Sequence, residues 1–339
     1  QAILDPKMLA TDHPLAALTG VGVVYKLAEA LAQVSPSVDG QPSNPGDLLD
    51  LVAIGMVADI ATLTNDTRYL VQRGLQQLAR GQRPGLVALS EAAGADWTAA
   101  DDSLAGYVLA PRLNAAGRLG DAREVLDLLL TEDIARARAL AERFEGLNRD
   151  RRAHTDALQS LCEQRVLEDR ELLRQPALVI HGTAWEPGVL GIVAGNLARK
   201  YGRPALLVAD SAPGLSVASA RSVDGIDIHA AIAAQADLLI RQGGHPMAAG
   251  FSIETSRFPE FRQRLMSWLH EHAAAVETLP PLAVDAVIPW SEMRLPLAAS
   301  LGRLGPHGAG NPRPVLCSLG GRLVRTSDVS YRAETAHRR

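Results

Sequence analysis

The sequence has little cysteine, few aromatic residues and no long hydrophobic run, and each scarcity argues against a class of protein. Its two cysteines, Cys162 and Cys317, lack the short spacing of a metal or redox motif, which argues against a disulfide framework and fits a reducing cytoplasm. No apolar run approaches the roughly 20 residues of a membrane helix, and the first residues lack a signal-peptide layout. We therefore expect a cytoplasmic protein without a membrane partner, and we expect a monomer.

Charge of either sign is not in large excess. The 34 basic and 38 acidic side chains give a net charge of −4, which excludes a protein that coats nucleic acid by bulk charge. An enzyme with a local basic track beside an acidic metal pocket remains open. The remaining composition is that of an ordinary soluble protein, and 339 residues are enough for two or three domains.

The first half of the chain is predicted to be mainly helical. Residues 14–33 and 69–80 show helical apolar spacing, and residues 35–46 are a loop rich in Pro, Ser, Gly and Asn. Residues 121–174 are predicted to be a linker helix, broken at most once, whose polar middle at 148–156 would cross solvent between two domains. The polar side chains there fit either nucleic-acid contacts or a solvated face: Asn148, Arg149, Arg151 and Arg152.

The second half has an α/β pattern. A strand at 177–181, a helix at 188–200 and a strand at 205–209 predict a right-handed βαβ unit with parallel strands. Further elements are predicted as strands at 215–220 and 238–240, helices at 226–236 and 258–272, and, after Pro280-Pro281, strands of an all-β module at 284–288 and 314–324.

Asp59 follows the apolar run of residues 51–58. An ionised carboxylate in apolar surroundings is costly unless it is paired or binds a metal. Two interpretations are open: an exposed helix end after a buried run, or a ligand for a hard divalent cation.

A second candidate segment, at residues 111–122, places two arginines and an asparagine among alanine and glycine. The planar fork of Arg112 or Arg118 suits phosphate oxygens, and small neighbours of Asn114 would let a polymer backbone approach. Alternatively, the two arginines pair with surface acids.

Two predicted strand ends in the α/β half carry donors. Ser219 and Arg221 end one strand, and Gly243-Gly244-His245 follows the next. Glycines that allow positive φ, beside a donor side chain at a strand end, are typical of phosphate sites. The alternative for His245 is an exposed side chain on a tight turn. The small residues that follow it suit the start of a helix.

These segments resemble a known family. DLVAIGMVAD (residues 50–59), PRLNAAGRLG (111–120), SARS (219–222) and GGHPMAAG (243–250) occur in the order and with the gaps of the RecJ family, single-strand-specific exonucleases of the DHH phosphoesterase superfamily. GPHGAGNPRP (305–314) is similar to the start of that family's oligonucleotide-binding-fold domain.

The resemblance implies an α/β protein of four parts: residues 1–120 as the C-terminal part of a DHH phosphoesterase domain, 121–174 as the linker helix, 175–275 as a DHH-associated α/β domain, and 280–339 as a partial oligonucleotide-binding β-barrel. The family's first metal-binding motifs would precede Gln1. On this reading the chain lacks most metal ligands, and we expect it to be inactive alone.

The resemblance also implies a function in DNA repair and recombination, the 5′→3′ hydrolysis of single-stranded DNA with two Mn²⁺ or Mg²⁺ ions. Asp59 would hold metal, and Asp59 and His245 would be catalytic. With only 4% aromatic residues, DNA contacts are expected to use the backbone more than stacked bases. The implied phosphate-binding residues are Arg112, Asn114, Arg118, Ser219, Arg221, Gly243, Gly244 and His245.

Single-strand-binding protein and a helicase are partners that the family resemblance implies. Two alternative functions remain open from the sequence. One is a fragment that binds single strands without cleaving them. The other is a hydrolase of short oligonucleotides or small phosphoesters from the same superfamily.

Overall fold

The computed structural model divides into two compact units. The first contains Gln1–Arg80, Thr98–Gly106 and Pro281–Arg339, and the second contains Gly81–Trp97 and Tyr107–Pro280. These units do not coincide with the four predicted parts, whose boundaries stay predictions. The structure describes residues 3–10, 12–35, 37–38, 41–42, 44–119, 121–272, 282–322, 328–330 and 336–338.

The described α-helices are α1 Gly20–Val34, α2 Leu49–Ala58, α3 Asn65–Leu78, α4 Pro84–Ala92, α5 Ala110–Leu119, α6 Ala122–Leu130, α7 Ile134–Glu168, α8 Pro187–Tyr201, α9 Ile228–Ala233, α10 Phe258–His272 and α11 Leu295–Gly302. A π-helix, Leu104–Leu109, leads directly into α5. The strands are β1 Ser37–Val38, β2 Gln41–Pro42, β3 Leu178–Gly182, β4 Ala205–Ala212, β5 Leu215–Arg221, β6 Leu239–His245, β7 Ala248–Glu254, β8 Ala286–Val287, β9 Leu316–Cys317, β10 Asp328–Ser330 and β11 Ala336–Arg338. Within the described residues, no helix is both long and apolar enough to cross a membrane.

The core of the first unit is the crossing of α2 and α3. Val52, Ala53 and Met56 of α2 are buried, and a glycine lets α3 approach them. A β-carbon at Gly74 would stand 2.1 Å from the carbonyl oxygen of Leu49, so only glycine fits this crossing. The first predicted helix, 14–33, is wrong at its start, because residues 14–17 form a turn. The predicted loop at 35–46 contains the β1–β2 pair.

The predicted linker helix is α7, one continuous helix of 35 residues in the second unit. Asp133 caps its first turn by accepting from the backbone N–H groups of Ala135 and Arg136, so the break falls between α6 and α7. Within 148–156, Asn148 is fully buried and Thr155 nearly so, whereas residues 149, 150, 153, 154 and 156 are exposed. α7 contacts α4, α5 and α8, and the solvent-crossing interpretation of this polar stretch stays a prediction.

The second unit contains a five-stranded sheet in the order β3-β4-β5-β7-β6. The predicted parallel pairing of β3 with β4 is confirmed, and the other neighbours are antiparallel. The helix start predicted after His245 is wrong, because residues 248–254 form β7 of a hairpin. Ala249, Phe251 and Ile253 alternate into the core, a period of two that a helix does not have.

Helices cover the two faces of this sheet differently. Phe251 and Ile253 of β7 pack with α9 and α10 on one face. On the other face, Leu207 of β4 packs beneath α8. The last five residues of β6, 241–245, are exposed. The sheet therefore has an open strip beside α8.

The all-β module predicted near the C-terminus is not confirmed as the start of an oligonucleotide-binding barrel. β8 and β9 have two residues each and pair in parallel, with α11 between them in the chain. The segment after α11 docks within the first unit, where Arg68 Nη2 donates to the Leu304 carbonyl over 2.7 Å and Arg313 Nη2 donates to Asp102 over 2.6 Å. Part of the predicted strand 314–324 lies outside the described residues.

Candidate phosphate-binding site

Arg221 of β5 and His245 of β6 lie in one row across the sheet. Both are register partners of Ala248 on β7, which runs between them. Register partners project to the same face, and neighbouring strands are about 4.8 Å apart, so the two backbones are roughly 10 Å apart. A small side chain thus separates two donor side chains on the open strip.

A second row lies two residues further along the strands. Ser219 of β5 and Gly243 of β6 are both register partners of Gly250 on β7. Because side chains alternate with a period of two, this row shares its face with Arg221 and His245. The strip therefore has donors at its sides and a floor without bulky side chains.

The adjacent glycines Gly243 and Gly244 differ in whether the structure has room for a β-carbon. A β-carbon on Gly243 would meet nothing within 4 Å, so this position opens onto free space on the face of His245. Gly244 has φ +149°, and a β-carbon there would stand 2.4 Å from the carbonyl oxygen of Ala248. Gly244 is required by the hairpin, whereas Gly243 leaves room for a ligand.

α8 holds the side chain of Arg221 at the edge of this strip. A β-carbon on Gly191 would stand 2.6 Å from Arg221 Nη2 and 2.9 Å from Ser219 Oγ. Arg221 Nη1 donates to Ser219 Oγ over 3.2 Å and to the Ala220 carbonyl over 2.8 Å. Sequence reasoning missed Gly191, although glycines spaced by four, here with Gly195, are a signal for close approach to a helix.

Arg241 is a further basic residue that sequence reasoning missed. It is exposed, pairs with Ser252 of β7 and lies four residues before His245 on β6, hence on the same face. The predicted strand ended at residue 240, so the alternation through the glycines went unseen. The open strip therefore carries three cationic or titratable side chains.

Arg112 is not placed to bind phosphate. It is only 2% exposed, its Nε donates to Glu145 of α7 over 2.5 Å, and its Nη1 donates to the Val108 carbonyl over 2.8 Å. This corrects the phosphate-binding prediction for Arg112 in favour of an ion pair with an acid. The pair is largely buried, not at the surface as the alternative had it, because α5 packs against α7.

Asn114 is exposed on α5, and a β-carbon on nearby Gly117 would meet nothing within 4 Å. The side chain of Arg118 lies outside the described residues. Asn114 thus stays a predicted DNA contact on a different element from the strip formed by β5, β6 and β7.

Asp59 caps the C-terminal end of α2 in the first unit and is exposed. Its backbone N–H bonds to the Gly55 carbonyl, and Ile60 follows with φ +53°. A β-branched residue in this left-handed region is strained, by about 1–3 kcal/mol. This placement matches the exposed-helix-end interpretation. The buried acid of the run is Asp50, which is 5% exposed.

The described residues do not form a two-metal centre. Among them, no group of three or more His, Cys, Asp or Glu side chains could hold a metal ion together. The exposed carboxylate of Asp59 has the oxygen chemistry that Mg²⁺ and Mn²⁺ prefer, but one carboxylate is too few. We therefore derive no reaction step through a metal from these residues.

Comparison with known proteins identifies the α/β unit. The DHHA1 domain family matches residues 174–271. The chain is 35% identical to the single-stranded-DNA-specific exonuclease RecJ of Bacillus subtilis, over 93% of the chain and 39% of that protein. It is 34% identical to RecJ of Dickeya dadantii, over 93% of the chain and 57% of that protein. The chain thus spans about half the length of these relatives.

Solved structures of RecJ also match this chain in fold and sequence. The crystal structure of Thermus thermophilus RecJ with Mg²⁺ matches 90% of this chain and 46% of that one, with a TM-score of 0.74 and 33% identity. The Mn²⁺ complex of the same protein matches 87% of this chain and 42% of that one, with a TM-score of 0.73 and 34% identity.

The five-stranded sheet with its row of donors belongs to a DHHA1 domain. Sequence identity of about a third along nearly the whole chain, together with the matching fold, extends the similarity beyond this domain. The chain is therefore similar to RecJ proteins along nearly its whole length.

Proposed function

We propose that the protein is a single-stranded-DNA-specific 5′→3′ exonuclease, which hydrolyses phosphodiester bonds, and that this chain binds its DNA substrate. One observation carries the proposal. Arg221 and His245 flank Ala248, and Ser219 and Gly243 flank Gly250, on one open face. Donors at both sides of a floor without bulk suit a phosphate of a flexible strand, and relatives of similar sequence are single-strand-specific exonucleases.

Each element of the strip has a role in this proposal. The guanidinium of Arg221, steadied by Ser219 and α8, binds phosphate oxygens with charge-assisted hydrogen bonds. His245 binds from the other side, and the free space over Gly243 admits the sugar-phosphate backbone. None of these groups reads a base, so binding is indifferent to sequence and sensitive to salt.

We further propose that the exonuclease uses Mn²⁺ or Mg²⁺, as the ions in the Thermus thermophilus RecJ structures support. Asp59 is the one carboxylate that we assign to them here. It is exposed, and the αL residue after it fixes how α2 ends. We propose that the protein acts in DNA repair and recombination in the cytoplasm, because its proposed substrate is single-stranded DNA. We also propose that it is a monomer whose partners are single-strand-binding protein and a helicase.

Binding of 5′-phosphorylated and 5′-hydroxyl strands by the Arg221→Ala variant tests the phosphate assignment. We expect wild type to prefer the phosphorylated strand and the variant to lose that preference. Arg262→Ala is the matched control, since Arg262 is an exposed arginine on α10, on the opposite side of the sheet. If Arg221→Ala kept the full preference, the phosphate assignment would be wrong.

A second candidate function, binding of single strands without cleavage, is favoured by the lack of a metal-holding cluster among the described residues. A cleavage assay with Mn²⁺ on long 5′-phosphorylated strands and on dinucleotides, run beside the binding assay, separates the candidates. Cleavage of long strands supports the exonuclease, cleavage confined to dinucleotides supports a small-phosphoester hydrolase, and binding alone supports the second candidate.

A further inference from the structure

Tyr107 is an unusually exposed aromatic residue in a chain that has few of them. Its side chain is 77% exposed, and it lies in the π-helix Leu104–Leu109. Runs of π-helix are rare and are frequently found at functional sites. A large aromatic ring exposed to solvent presents a π-face on which a nucleobase can stack.

The sequence explains why the helix is widened here. Pro111 has no N–H, so the Tyr107 carbonyl four residues earlier lacks its α-helical donor. Arg112 fixes the junction, because its Nη1 donates to the Val108 carbonyl and its Nε to Glu145 of α7. Leu109 is fully buried beside it. Tyr107 therefore lies on a turn whose neighbouring residues are anchored by hydrogen bonds and burial.

The surroundings of Tyr107 suit a nucleobase. Asn114, exposed on α5, can both donate to and accept from a base edge, and the open position at Gly117 lets a strand approach the helix. Residues 104–119 contain no acid, although Arg112 among them is buried against Glu145 of α7. No carboxylate of this stretch itself repels an anionic strand.

We propose that Tyr107 is a stacking platform for one unpaired base of the single strand, with Asn114 of α5 as a polar contact of the same strand. The inference rests on the proposed function and adds to it a contact with a base, where Ser219, Arg221 and His245 contact phosphate. Stacking on an aromatic ring accepts every base, because each base has a π-face. The platform therefore requires an unpaired strand without requiring a sequence.

The test uses the full 339-residue chain and fluorescence anisotropy with a 5′-phosphorylated oligonucleotide. Tyr107→Ala is expected to weaken binding roughly tenfold, the range of one base–aromatic stack, and Tyr107→Phe, which keeps the ring, to bind like wild type. Tyr69→Ala removes another exposed tyrosine, on α3, and is expected to change nothing.

A set of oligonucleotides with one abasic site at each successive position identifies the stacked base. Wild type should lose affinity at one position, and Tyr107→Ala should show no further loss there. Equal binding by Tyr107→Ala and wild type, or an unchanged abasic profile, would overturn the platform. Because Arg221→Ala is measured with the same strands, loss of phosphate preference in that variant keeps the proposed function standing even if the platform fails.

Discussion

Gly191 of α8 lies so close to Arg221 of β5 that a methyl group at position 191 would press on the guanidinium, 2.6 Å from Nη2. Gly191→Ala is therefore expected to displace the arginine and weaken binding of 5′-phosphorylated single strands by about tenfold, the worth of one hydrogen bond to a charged group. The helix itself should not suffer, since alanine is the better helix former. Anisotropy titrations measure the affinity.

Gly195→Ala is the matched control for that variant. It lies one turn later on α8, where a β-carbon would be 3.7 Å from Arg221 Cγ, an ordinary contact. Both substitutions raise helix propensity equally, so a difference in DNA affinity reports the displacement of the Arg221 and Ser219 side chains. Equal affinities for the two variants would show that the position of the guanidinium does not matter.

The two glycines that precede His245 should respond differently to alanine. Gly244→Ala is expected to destabilise the fold by at least about 1–3 kcal/mol, because position 244 has positive φ and faces the Ala248 carbonyl. Gly243→Ala should unfold like wild type but bind phosphorylated strands more weakly, since its methyl group enters the free space of the strip. Urea unfolding and anisotropy separate the effects; unfolding at the same urea concentration for both variants would contradict this account of the hairpin.

Arg112 is expected to act on stability. Arg112→Ala leaves Glu145 as an unpaired, largely buried carboxylate, a change that costs about 3–5 kcal/mol in comparable pairs. The double variant Arg112→Met/Glu145→Leu removes both charges and should recover most of that loss. Urea denaturation measures both. A stable Arg112→Ala variant that fails to bind DNA would instead restore the phosphate-binding role.

Asp210 makes the second unit sensitive to acid. It accepts hydrogen bonds from His181 Nε2 and Ser216 Oγ, each at 2.8 Å, and these bonds, His181 first, lower the pKa of Asp210. A carboxyl with a lowered folded pKa stabilises the fold fully above its unfolded pKa of about 3.9, and this contribution is lost as pH falls through the folded pKa. Stability measured at pH 6 and pH 3 should therefore fall less in Asp210→Asn than in wild type. The same fall in both would sink the prediction.

Sequence reasoning named the candidate donors but did not predict their alignment across the sheet. Ser219, Arg221 and His245 were predicted from residue type and from their positions near strand ends. Their alignment depends on β7, and a run of small residues such as Ala248 to Gly250 carries too little hydrophobic pattern to separate a strand from a helix. For the same reason Arg241 was overlooked.

Burial overturned one prediction that rested on residue type, the phosphate-binding role of Arg112. Arg112 has the chemistry of a phosphate ligand, but a partner 33 residues away, Glu145, binds its guanidinium, and no local pattern encodes that pairing. Asp59 follows an apolar run yet lies beyond the last turn of α2, where the helix end meets solvent. A contact distant in sequence determines the outcome for Arg112, and the local end of α2 determines the exposure of Asp59.

Because β7 lies between β5 and β6, two backbone hydrogen-bond ladders fix the distance between the outer strands of the site. Main-chain ladders, not side-chain packing, set how far Arg221 stands from His245. Under the proposed function, a spacing set by the peptide backbone suits a ligand whose sugar-phosphate chain repeats whatever its bases.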